Sequence, residues 1–204
     1  MIEFLFAQYK EYSNLFIFLE LTAVLFGIIS VLFARKNNIL VYPTGLVSTL
    51  IFVYILYEWK LFGDLIINIY YTIMSVLGWY LWTRKKNDAD EFPISVMTRK
   101  DYFISILIFV GTILFIALVY QFFNKFTDWT AYVDTLTTAM FFVGMWLMAK
   151  RKIENWIIWI VADIISVPLY FYKGLTFSSM QFLLFTIIAI LGYLEWKKLL
   201  QKQI

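Results

Sequence analysis

Seven apolar runs, each close to the thickness of a bilayer's hydrocarbon core, leave this chain few folds to choose from. They span approximately residues 14–34, 39–57, 61–82, 102–123, 130–149, 155–172 and 176–196, with charged residues marking their ends. A helix rises about 1.5 Å per residue, so runs of roughly 20 residues cross about 30 Å of hydrocarbon. Water is absent at that depth, and a spanning segment must satisfy its own backbone hydrogen bonds, which a helix does. The composition agrees: 62% of residues are hydrophobic, 21% aromatic and 15% charged, against about 25% charged in soluble domains. The expected fold is an all-α integral membrane protein with seven transmembrane helices, forming one membrane domain over residues 1–204. Glu58, Lys60 and Asp64 separate the second run from the third, and a six-span count is the alternative. The first 13 residues, MIEFLFAQYKEYS, carry an acid at position 3 and no small-residue cleavage site. They read as a lead-in rather than a signal peptide.

Lys and Arg are retained on the cytoplasmic side of inner membranes, so their distribution orients the spans. With seven spans, Lys10, Lys60, Lys125 and Lys173 fall on one side, and the other thirteen of the 17 basic residues, from Arg35 to Lys202, fall on the other. This places the N-terminus outside and the C-terminus inside. Six spans would set neighbouring basic clusters on opposite faces. The longest cytoplasmic loop is then 83–101, whose mixed charges read as a solvated connection.

An internal repeat is visible at a shift of 114 residues. IMSVLGWYLWTRKK (73–86) matches IIAILGYLEWKK (187–198), aligning Gly78 with Gly192 and Trp82 with Trp196. The same shift aligns Glu20 with Asp134 and Tyr42 with Trp156, and a one-residue slip pairs Lys60 with Lys173. Two three-span copies joined by one extra span have the same orientation. The expected architecture is therefore a parallel 3+1+3 repeat, with repeat one at about 14–82, a linker helix at about 102–123 and repeat two at about 130–196. In such carriers the substrate site lies between the halves near the midplane.

Acids inside apolar segments are costly unless they face a cavity or a partner, which makes each a functional candidate. Glu20, Asp134 and Asp163 are such acids, and the spans hold no interior Lys or Arg. Trp156, Trp159 and Asp163 stand at i, i+3 and i+7 of one helix face. Two indoles above a carboxylate suit a flat cationic or electron-poor aromatic ligand. Bland readings compete: Trp156 as an interfacial belt residue, Asp163 as a protonated interhelical partner, Glu20 and Asp134 as a structural pair. Asn68, Gln121 and Gln181 are polar groups for which interhelical hydrogen bonding is the default.

Other classes fall away. The chain has no Cys and no His, which removes thiol chemistry and the commonest metal ligands. No cofactor is expected. The last span has no lysine to carry retinal, no G-x-x-x-x-G-K-[ST] cradle occurs, and Gly63-Asp64 lacks the context of an intramembrane aspartyl protease. An enzyme is not expected, and a tryptophan pair at depth suits one bound solute better than a conduction path. A carrier leads, with a non-transporting structural membrane protein as the alternative from another class.

The W-x-x-W-x-x-x-[ND] stretch WIIWIVAD (156–163), YYTIMSVLGWYLW (70–82) and ELTAVLFGIISVLFARKNN (20–38) together resemble the PnuC family of vitamin transporters over nearly the whole chain. The resemblance implies a homotrimeric, SWEET-like carrier of the bacterial inner membrane. It would take up nicotinamide riboside by facilitated diffusion, with a cytosolic kinase trapping the product and no nucleic-acid partner. Relatives carry thiamine or riboflavin. Carried over, Trp156 and Trp159 would enclose the nicotinamide and ribose. Asp163, often asparagine in riboside carriers, would bond ribose hydroxyls or offset the pyridinium charge. Asn68, where many members have glutamine, would contact the carboxamide beside Tyr71. Glu20, Asp134 and Gln181 complete the expected substrate-binding set. The two departures at positions 68 and 163 keep thiamine open as a substrate.

Overall fold

A computed structural model of the chain describes residues 14–60, 62–86, 89–90, 92–122, 128–173 and 176–202. The described residues form seven long helices: α1 (Asn14–Arg35), α2 (Val41–Glu58), α3 (Phe62–Thr83), α4 (Arg99–Phe122), α5 (Trp129–Ala149), α6 (Glu154–Tyr172) and α7 (Thr176–Gln201). All seven are long and apolar enough to cross a membrane. The expected lead-in over residues 1–13 and the topological marker Lys125 lie outside the described residues.

The helices turn large apolar side chains outward, as lipid requires. Phe18, Leu118 and Phe122 are 66%, 67% and 80% exposed. Of α1, only Ala23, Ser30 and Ala34 are buried. A soluble domain would bury such a face. Inside the bundle, α1, α2 and α3 pack in succession, as do α5, α6 and α7; α1 meets α7, α3 meets α5, and α4 lies against α5.

One end of the bundle carries Arg35, Arg84, Arg151 and Lys152 at the helix turns and is called the basic end here. The α1–α2 and α5–α6 turns there have the same geometry. Asn37 (φ 50°) donates to the Ala34 carbonyl and Asn38 to Phe33, while Arg151 (φ 51°) donates to Met148 and Lys152 to Leu147. Both are helix ends closed by a residue in the left-handed region, which caps carbonyls that the helix leaves open.

Aromatic residues fill the core of this end. The Tyr42 ring stands edge-on to Trp82 at 5.0 Å, and Trp156 edge-on to Trp196 at 5.5 Å. Each ring lies over a glycine: a Cβ on Gly78 would collide with Tyr42, and one on Gly192 would stand 2.7 Å from Trp156. Only glycine leaves room for these rings to pack against the backbone of α3 and α7. Trp82 and Trp196 meet at 6.0 Å, and the Trp196 Nε1 donates to the Ala34 carbonyl at 3.0 Å.

The loop expected to be solvated is so only in part. After a short antiparallel pairing of β1 (Lys85–Lys86) with β2 (Ala89–Asp90), residues 92–98 fold back onto the α5–α6 turn, and Ile94 is 2% exposed within the core of the basic end. Of the loop's charges, Asp101 is engaged in an ion pair with Lys152 at 3.1 Å.

Candidate binding cavity

A cavity of about 710 Å³ runs between the helices. Small-molecule sites typically enclose about 300–1,000 Å³, so one vitamin-sized solute fits. All seven helices contribute to its wall.

The α6 wall is a single stripe. Trp159, Asp163, Ser166, Tyr170 and Lys173 all line the cavity, and their spacing of 4, 3, 4 and 3 residues keeps them on one helix face. Trp159 is held against α5, where a Cβ on Gly144 would collide with its indole. Behind it stands Trp156, edge-on at 5.5 Å. Trp156 has no exposed surface and does not line the cavity. The two tryptophans therefore do different work: Trp159 offers a face to the cavity, and Trp156 holds Trp159 in place. Full burial corrects the interfacial-belt reading of Trp156, and of the two indoles expected around the substrate the cavity wall includes Trp159.

Asp163 lies at the middle of the stripe and is 3% exposed. Its carboxylate has no hydrogen bond or ion pair to any described residue. An isolated buried carboxylate is among the least favourable groups a protein can hold. Opening onto a cavity resolves this, because water or a cationic ligand then completes its surroundings. Across the cavity Tyr71 lines the α3 wall, next to Tyr70, which stacks on Phe142 at 3.9 Å and donates to its backbone carbonyl at 2.9 Å. That contact fixes α3 against α5 at mid-depth.

Opposite the basic end, Asp64, Asp134, Tyr120 and Lys173 line the cavity. Lys173 donates to Asp134 in an ion pair that joins α6 to α5, and Asp64 is within electrostatic reach of both. Asp134 thus pairs with Lys173, in place of the structural pair with Glu20 that the sequence offered, and the cavity wall holds a cation that the spans themselves lack. Just outside α5, Asp128 accepts from the hydroxyl and amide of Thr130, which hold its carboxyl below the usual range.

Three expected residues fall elsewhere. Asn68 donates to the Asp64 carbonyl of its own helix at 3.0 Å and does not line the cavity. Its short side chain is spent on the preceding turn. Glu20 and Gln181 also lie off the cavity wall. Asp64 and Lys173 were missed because residues at span ends read first as topology markers, yet the stripe running through Asp163, Ser166 and Tyr170 reaches Lys173 by spacing alone.

Seven apolar helices around one central solute-sized cavity with a buried carboxylate define a multi-pass membrane transporter. The family model described as nicotinamide mononucleotide transporter matches residues 17–198, and the chain belongs to that family. The nicotinamide riboside transporter PnuC of Escherichia coli (strain K12) is 23% identical over 202 residues, covering 87% of this chain and 84% of the relative. The PnuC of Neisseria mucosa is 24% identical over 193 residues, covering 88% and 72%. The riboflavin/roseoflavin transporter RibM of Streptomyces davaonensis is 25% identical over 127 residues, covering 60% of this chain and 58% of RibM. The crystal structure of the vitamin B3 transporter PnuC superposes with a TM-score of 0.65 at 22% identity, covering 98% of this chain and 90% of that one. The fold is thus shared. The protein is a transporter, not an enzyme, and a multi-pass protein of the bacterial inner membrane.

Proposed function

We propose that this transporter takes up nicotinamide riboside by facilitated diffusion, binding it in the central cavity between Trp159, Asp163 and Tyr71. The observation that carries this reading is the unpartnered carboxylate of Asp163 one helical turn from a cavity-facing indole. A pyridinium ring stacks on the indole through dispersion and cation–π attraction, and the carboxylate offsets its charge or accepts from ribose hydroxyls. The chain holds no ATP-binding cradle, which suits downhill entry followed by phosphorylation in the cytosol. A kinase would trap the product there. The excess of Lys and Arg at the basic end supports an inward-facing C-terminus.

The matched turns at Asn37 and Arg151, and the matched glycine–ring contacts at Gly78 and Gly192, fall 114 residues apart. They support two parallel copies of three helices with α4 as linker, a SWEET-like 3+1+3 plan in which the halves rock around the site. Assembly as a homotrimer follows the family resemblance.

Thiamine is the second reading, favoured by Asp163 itself: an acid where riboside carriers often have asparagine would pair with a thiazolium. Calorimetric titration of the purified protein with nicotinamide riboside and thiamine in parallel, with nicotinamide and nicotinic acid riboside as controls, separates the two. Preference for the riboside supports the first reading, preference for thiamine the second, and binding of neither contradicts both. Asp163→Asn is expected to weaken riboside binding by about tenfold without abolishing it, the size of one charge-assisted contact. Complete loss would instead indicate an obligatory ion pair.

A further inference from the structure

The segment between α3 and α4 is bound across the basic end. Ser95 donates its amide to the Arg151 carbonyl at 3.1 Å and accepts from the Ile153 amide at 3.0 Å, forming a parallel bridge with Lys152. The Met97 amide donates to Glu154 Oε1 at 2.9 Å. Lys152 Nζ donates to Ser95 Oγ at 3.0 Å and to the Val96 carbonyl at 3.2 Å, and pairs with Asp101 at 3.1 Å. Beneath these bonds Ile94 is buried in the cluster that contains Tyr42, Trp82 and Met148.

Arg151 is the costly member of this arrangement. It holds φ at 51° and is 5% exposed, although the left-handed region is strained for a residue with a Cβ and a buried guanidinium needs partners. Asn37 closes the matching turn with a side chain that tolerates this conformation well. The turn alone therefore does not call for arginine. What Arg151 adds is reach: Nη1 donates to the Phe92 carbonyl at 3.0 Å, and its guanidinium carbon lies 4.2 Å from the centre of the Trp82 ring. Trp82 in turn stands against Tyr42, which lines the cavity, as does Met148.

The segment is thus continuous in sequence with α3 and bonded to the start of α6. Any movement of α1–α3 against α5–α7 at the basic end must break or carry these bonds. We propose that residues 92–97, clamped by Arg151 and Lys152, form a strap that keeps the basic end of the cavity closed and unseats for solute to leave there. This rests on the carrier reading given above.

The chain contains no cysteine, so Ser95→Cys with Lys152→Cys supplies the only two thiols, at bridged positions within the reach of a disulfide. The full-length variant is reconstituted in liposomes, and counterflow of nicotinamide riboside and of thiamine is measured before oxidation, after oxidation and after reduction. Calorimetric affinity is measured on the same preparations, with each single variant as a control. The disulfide is expected to form and to cut flux by at least about tenfold, as locking one gate of an alternating carrier should, with affinity unchanged and flux restored on reduction. A disulfide that forms without altering flux would overturn the strap, as would failure of the two thiols to join, or parallel losses of flux and affinity. If the reduced variant and the parent protein carry neither solute, the substrate reading fails instead of the strap.

Discussion

The two ends of the cavity are built on different principles. At the basic end the contacts join the two sides of the bundle: Arg35 donates to Glu195 Oε1 from Nε at 2.7 Å and from Nη2 at 2.5 Å, Trp196 bonds the Ala34 carbonyl, and Arg151 ties Phe92 and Trp82 together. At the opposite end the ion pair of Lys173 with Asp134 and the ring contact of Trp129 with Tyr172 at 5.0 Å both join α5 to α6. The first set resists separation of α1–α3 from α5–α7, whereas the second acts within α5 and α6, with Asp64 of α3 in electrostatic reach of the ion pair. On the proposed reading of a carrier whose halves rock about a central site, the contacts of the basic end are the ones that must part for solute to leave there. Beside the charged contacts of Arg35 and Arg151, the buried rings of Tyr42, Trp82, Trp156 and Trp196 add excluded area and dispersion there. Charge is concentrated where the cavity wall is polar.

The contrast is broken most severely at Trp196, which is fully buried and joins both sides. Trp196→Ala is expected to remove about 3–5 kcal/mol of stability, the range for deleting a buried indole, and to lower the thermal unfolding midpoint in detergent by many degrees. A midpoint within the error of the parent protein would show that the aromatic layer does not hold the basic end. Next in size is Gly144→Ala, whose methyl group must displace Trp159. Overpacking of this kind costs about 1–3 kcal/mol. Here it should appear as roughly tenfold weaker riboside affinity, with the unfolding midpoint falling far less than for Trp196→Ala. The smallest effect belongs to Asn68→Ala. Its amide is engaged by the Asp64 carbonyl, so calorimetric affinity should stay within about twofold. A larger loss would return Asn68 to the cavity and restore the carboxamide contact that the family resemblance implied.

The spans could be read from sequence because lipid imposes a one-dimensional rule: about 20 apolar residues between charges. Asp163 could be read too, since a lone acid in such a run is costly wherever it points. Trp156 and Trp159 could not be told apart. At i and i+3 they share a face, and only the packing of α7 across Trp156 at Gly192 decides which ring reaches the cavity. Lys173 and Arg151 were hidden for a related reason. Basic residues at span ends carry so strong an orientation signal that it masked the pairing of Arg151 with Trp82, and that of Lys173 with Asp134 even though helical spacing from Asp163 reaches Lys173. The strap was the least legible element: one buried isoleucine among mixed charges resembles any exposed loop, because its bonds depend on backbone groups brought together only by the fold.

The most direct test of the binding site is the calorimetric affinity of Trp159→Ala for nicotinamide riboside beside that of the parent protein, each checked for an intact unfolding midpoint. Losing the stacking face should remove about 2 kcal/mol or more, a drop of at least ~30-fold that ends saturable binding in the usual concentration range. Affinity equal to that of the parent, in a folded Trp159→Ala protein, would contradict the placement of the substrate against Trp159 and Asp163.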